Sequence, residues 1–138
     1  MCYFGWDYHG FAVQEITGKT IESELFKALT LTKLIKCREE SNYHRCGRTD
    51  KGVSAFQQII TIDLRTNLLE GPGVINYEGC KAQDRITKNP NDTKEINYCK
   101  IINSNLPAYI QVIGKKLCMQ HISSDRCDSF YVRKSFGF

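Results

Sequence analysis

Between positions 20 and 35 the apolar residues Ile21, Leu25, Ala28 and Leu29 recur at a helical period, with Thr20 ahead of them as a cap. Glu22 and Glu24 fall in the electropositive first turn, and Lys33 and Lys36 complement the far end, so the pattern predicts a helix over 20–35. Across 56–64 the period changes to two. Ile60, Ile62 and Leu64 alternate with Thr61 and Asp63, as a half-buried strand requires. Residues 1–7, aromatic and small, suit a strand that Tyr8, His9 and Gly10 then turn, and 41–45 leads strand-like into a polar loop. Further on, 94–106 offers Ile96, Ile102 and Leu106 at helical spacing and is stopped by Pro107, after which 109–113 alternates as a short strand.

The resulting order is strand, helix, strand, strand, helix, strand. It predicts an α+β class and a ferredoxin-like βαββαβ antiparallel sheet with both helices on one face. The segment 66–93 breaks the pattern: rich in Gly, Asn, Asp and Lys, with Pro72 and Pro90, it reads as a polar, disordered insertion. The expected organisation is therefore one domain over 1–114 carrying the insertion 66–93, followed at 115–138 by the incomplete start of a second domain.

Composition narrows the picture modestly. The 138 residues suffice for one buried core but not two complete ones. The net charge of +4 is compatible with a polyanionic partner without demanding one. Seven cysteines, with no C-x-x-C pair, argue against a disulfide framework and a zinc site, and predict an intracellular chain, cytoplasmic or nuclear. No apolar run approaches bilayer length, so no membrane partner is expected.

Chemistry concentrates in 42–56, N-Y-H-R-C-G-R-T-D-K-G-V-S-A-F. One carboxylate, Asp50, sits among Arg45, Arg48 and Lys51, in a stretch where Gly47 and Gly52 allow tight turns. Nearby cations favour the ionised acid. A solvated ion pair in an ordinary polar loop accounts for the same residues. His9, His44 and His121 lack a serine or cysteine nucleophile motif, and Cys46 reads equally as a small buried residue or a reactive thiol. No metal ligand is assigned. Trp6, Tyr8 and Phe11 form an aromatic cluster for which a core role is favoured at Trp6 and left open at Tyr8.

The string C-G-R-T-D-K-G-V-S-A at 46–55 resembles the catalytic signature of the tRNA pseudouridine synthase A family, nearest to the eukaryotic branch that modifies the anticodon arm. The segments 4–11, 20–29 and 62–65 match in the same order and spacing, and agreement in ordered blocks is more specific than one short motif. The resemblance implies the N-terminal half of a synthase fold, isomerisation of uridine to pseudouridine at positions 38/39 of the anticodon stem-loop, and no cofactor. It makes Asp50 the catalytic carboxylate, as nucleophile or proton acceptor. Arg48 becomes the residue that enters the RNA helix when the base swings out, with a salt bridge to Asp50 as the alternative. Arg45, Lys51 and Thr49 fall with the RNA-facing set, Lys51 as a phosphate contact, while Gly47 and Gly52 shape the loop.

The resemblance weakens after Gly114. Arg126 matches the family's next arginine, but Arg133 falls one place late and Ser135 stands where a base-packing tyrosine is expected. It also implies several residues ahead of the first strand. The expectations are thus a tRNA synthase fragment or, alternatively, a noncatalytic RNA-binding module derived from one. An uncovered sheet edge or face predicts self-association as a homodimer.

Overall fold

A computed structural model describes residues 1–14, 17–68, 74–75, 95–117 and 131–135. Within them the class is α+β. The elements in chain order are β1 (Cys2–Tyr3), α1 (Ile21–Leu31), a 3-10 turn (Glu39–Ser41), β2 (His44–Arg45), β3 (Ile60–Arg65), β4 (Val74–Ile75), α2 (Tyr98–Asn103), β5 (Ile110–Gln111), β6 (Lys116–Leu117) and β7 (Tyr131–Ser135).

The pairings within 1–114 are antiparallel wherever β4 is not involved. Cys2 and Tyr3 face Gln111 and Ile110, and His44 and Arg45 face Thr61 and Ile60. Tyr3 also bridges Ala55, with backbone bonds of 2.9 and 3.0 Å in the two directions. Gln58 N then donates to Met1 O at 2.8 Å, tying β1 to the run that becomes β3. Further along, β3 pairs in parallel with β7, from Thr61 opposite Tyr131 to Arg65 opposite Ser135. The two-residue strands β4 and β6 also run parallel to β7. The insertion 66–93, read from sequence as a loop, thus contributes Val74–Ile75 to the sheet; its other residues from 69 to 93, like 118–130 and 136–138, lie outside the described residues.

α1 forms because its cap and apolar spacing agree. Thr20 Oγ1 accepts from Ser23 N at 3.2 Å, while Thr20 N donates to Ser23 Oγ, closing a capping box. Ile21, Leu25, Ala28 and Leu29 are buried, each large side chain stabilising the fold by about 1.5–3 kcal/mol. The helix stops at Leu31, four residues short of the expected end. Thr32 Oγ1 bonds back to Ala28 O at 2.8 Å, and Lys33 takes a left-handed φ of 53°. Leu34 and Ile35 still enter the core, from irregular backbone, which is why the apolar pattern outlasts the helix.

α2 is likewise shorter than 94–106. Asn97 caps it through Lys100 N at 3.2 Å, and Ile96, Tyr98 and Ile102 are buried. One cluster joins these to Ile60, Ile62 and Leu64 of β3, Tyr3, Ile110 and Val112. Two sequence expectations need correcting. Asp63, at a polar position of the alternation, is buried and accepts from Asn42 Nδ2 at 2.6 Å, because the β2 side of the strand is covered by the 39–42 turn. Trp6 is not core: it is 72% exposed and leans on Phe4, at 5.1 Å between ring centres, while Tyr8 and Phe11 are the buried members.

Candidate functional site

The loop after β2 is held by the segment that follows β1. Phe11 N donates to Thr49 O at 3.0 Å, Gly52 N to Tyr8 O at 3.1 Å, and Gly5 N to Ser54 Oγ at 2.9 Å. The Tyr3 hydroxyl and Thr49 Oγ1 lie 2.7 Å apart, and burial pushes the Tyr3 phenol above its ordinary pKa. Gln58 Nε2 secures Gly47 O from the other side at 2.9 Å. Asp50 O closes a turn with Val53 N at 3.2 Å, in which Gly52 has φ 77°, the value a type II turn needs at that position. The backbone on both sides of Asp50 is therefore fixed, while its side chain is exposed.

Two glycines of the 4–11 segment set this geometry, Gly10 at the turn expected from the sequence and Gly5 just before it. A Cβ on Gly5 would collide with the Val53 carbonyl, and one on Gly10, whose φ is 99°, would stand 2.9 Å from Thr49 O. Gly52 takes a left-handed φ of 77°. Gly47 has neither a left-handed φ nor any atom within 4 Å of where a Cβ would stand, so no steric need for glycine exists there.

The cations do not gather round Asp50 as expected. Among the described residues Asp50 makes no ion pair, and Arg48 and Lys51 are exposed. Arg45 turns instead to Glu22, whose Oε1 accepts from its Nη1 at 2.8 Å. The other oxygen of Glu22 accepts from Val13 N at 2.8 Å and from Arg38 Nη2 at 3.0 Å. Glu22 is fully buried. Burial opposes its ionisation, but the Val13 amide, the adjacent Tyr43 hydroxyl and the two guanidiniums outweigh that and hold the carboxyl below its usual range. Burial and the Glu22 charge push the adjacent Tyr43 phenol far upward.

Arg38, which sequence reasoning missed, lies over the Phe26 ring at 4.6 Å and the Tyr43 ring at 5.4 Å. An aromatic at 26 and 43 with acid at 22 was the available signal, but only tertiary packing unites them. Arg38, Asn42, Tyr43, His44, Arg45 and Arg48 line an open cleft of about 710 Å³ that runs up to the Asp50 loop. Arg126 lies outside the described residues. Among the described residues no group of three or more His, Cys, Asp or Glu is placed to hold a metal ion, and no helix is long and apolar enough to cross a membrane.

A pinned turn presenting one free carboxylate beside a guanidinium-lined cleft defines an acid site suited to an anionic substrate, and comparison with known proteins supplies the class. No protein-family model matches the chain. It is 49% identical over 116 residues to the mouse tRNA pseudouridine(38/39) synthase and 46% identical over 114 residues to the human one, covering 83% of this chain in each case. The yeast tRNA pseudouridine(38/39) synthase is 36% identical over 80% of the chain, and tRNA pseudouridine synthase A of Methanosarcina barkeri 40% over 56%. The chain is thus a homologue of the tRNA pseudouridine synthases. Its matched region spans 22% of the length of the mouse and human proteins.

Proposed function

We propose that this chain is the signature-loop portion of a tRNA pseudouridine synthase acting on uridine in the anticodon stem-loop, at positions 38/39. The observation that carries the reading is the exposed Asp50 carboxylate on a backbone fixed at both neighbours, in a chain homologous to synthases so named. The isomerisation breaks the bond from ribose to N1 of uracil, turns the base, and joins the ribose carbon to C5; C5 gives up its proton to solvent and N1 takes one in exchange. Asp50 serves as the nucleophile or proton acceptor for that exchange. A paired uridine must first leave the stack, at a cost of a few kcal/mol. Arg48, exposed two residues before Asp50, fills the gap, and Lys51 and Arg45 face the RNA. Thr49 fixes the loop through Tyr3.

The fold reading that accompanies this is ferredoxin-like. It is supported by the run of antiparallel neighbours β5, β1, the 55–58 stretch leading to β3, and β2, which is the strand order of a split βαβ unit. We take 1–114 as that domain and 115–138 as the beginning of another, in an intracellular protein whose RNA partner is the anticodon arm.

The test is tritium release from anticodon-arm RNA labelled at C5 of uridine. The chain releases tritium and Asp50→Asn does not; equal release by both removes Asp50 from the reaction. RNA binding with no release by either favours a noncatalytic RNA-binding module.

A further inference from the structure

We propose that the cleft beside the Asp50 loop is a phosphodiester-binding site, with Arg38 and Arg45 as its ligands and Glu22 as the residue that orients them. The proposal rests on the RNA reading above and extends it to Arg38, which lies outside the signature.

The geometry separates this cluster from an ordinary salt bridge. One buried carboxylate serves two guanidiniums, at 3.0 and 2.8 Å, so the trio keeps a net positive charge. Neither cation is itself buried: Arg38 and Arg45 retain 35% and 27% side-chain exposure, and both line the cleft. Each guanidinium carries five N–H donors, and Glu22 takes one from each. The remaining donors suit the planar, bidentate geometry of a phosphate.

Arg38 is further restrained by lying over the Phe26 and Tyr43 rings, which pack edge to face with centres 4.9 Å apart. Its ordering entropy is spent in the free protein, so binding an anion costs less than at a mobile arginine. The exposed Arg48 continues the positive lining, against one exposed acid, Glu39. The cleft is open and polar, which fits a backbone running across it better than an enclosed small molecule. Because Gly47 and Arg48 form its edge, a phosphate held there lies on the same strand path as a uridine brought to Asp50.

The experiment uses the full chain and an unmodified anticodon-arm hairpin, with affinity followed by fluorescence anisotropy over a NaCl series. Wild type shows a linear fall of log affinity with log salt. Arg38→Gln flattens the slope by about 0.7–0.9, the share of one phosphate contact. Arg38→Lys keeps the slope and weakens binding, because it retains charge and loses the stacked fork. Glu22→Gln also weakens binding although it removes a negative charge; tighter binding would mean that Glu22 only neutralises the arginines and does not orient them. Lys100→Gln, exposed on α2 and not among the residues lining the cleft, is the control and leaves the slope unchanged. Near-UV circular dichroism establishes that each variant is folded at the assay temperature. Wild-type binding with an unchanged slope in Arg38→Gln overturns the cleft site and leaves the Asp50 reading standing. Absence of wild-type binding at low salt overturns the cleft site whatever tritium release shows.

Discussion

Replacing Glu22 by glutamine removes one charge from the best-buried polar cluster and leaves two guanidiniums facing an amide. The side chain keeps its shape, and one carbonyl oxygen can still accept from Val13 N, so the loss falls on Arg38 and Arg45. Breaking a fully buried ion pair costs about 3–5 kcal/mol; both arginines are about a third exposed and recover hydration, so the cost near neutral pH is reduced to about 2–3 kcal/mol. At an ordinary urea dependence this lowers the unfolding midpoint by about 1–2 M. The pH dependence fixes the cause. Glu22 is held below its ordinary pKa of 4.5 in the folded chain and regains it on unfolding. Its charge-dependent contribution is complete above that unfolded value and disappears as pH falls through the lower folded one. Urea titrations of wild type and Glu22→Gln therefore show a gap that is constant near neutrality and closes in acid. A gap unchanged down to about pH 3, well below the unfolded carboxyl value, would mean that packing and not charge holds the cluster, and would refute the argument.

Gly5→Ala drives a methyl into the Val53 carbonyl and is expected to cost about 1–3 kcal/mol by thermal unfolding, with loss of tritium release; an unchanged melting temperature would show that the loop can move aside. Thr20→Ala opens the capping box and should cost about 1 kcal/mol in urea without altering RNA affinity. The single tryptophan, being 72% exposed, should emit like indole in water and quench readily with acrylamide, and a blue-shifted emission would contradict its placement. Phe56, 89% exposed near Phe4 on a shared apolar hollow, should drive concentration-dependent association that Phe56→Ser reduces in sedimentation velocity.

The apolar alternation of Ile60, Ile62 and Leu64 and the Thr20 cap were legible in the sequence because each depends on neighbours a few residues away. The end of α1 was not, since Leu34 and Ile35 remain apolar for tertiary reasons after Thr32 and Lys33 have already stopped the helix. In the loop, the exposure of Asp50 and the left-handed turn at Gly52 follow from local chemistry. Arg45 was misplaced beside Asp50 because chain proximity suggested a partner that Glu22, 23 residues away, supplies instead. The aromatic cluster of Trp6, Tyr8 and Phe11 suggests a core role for Trp6, whereas its neighbours Gly5 and Tyr8 are the residues the loop contacts.

The bonds between 3–11 and 49–55 carry a consequence for engineering. Tyr3 with Thr49, Gly5 with Ser54, Tyr8 with Gly52 and Phe11 with Thr49 form matched pairs separated by more than 35 positions. The ten-residue signature is therefore not a portable cassette. Transplanted alone it would lose the frame that sets its shape: the Phe11–Thr49 and Tyr8–Gly52 bonds run backbone to backbone and outlast side-chain changes, whereas the Tyr3–Thr49 and Gly5–Ser54 bonds each need a particular hydroxyl, so a working graft carries both stretches together.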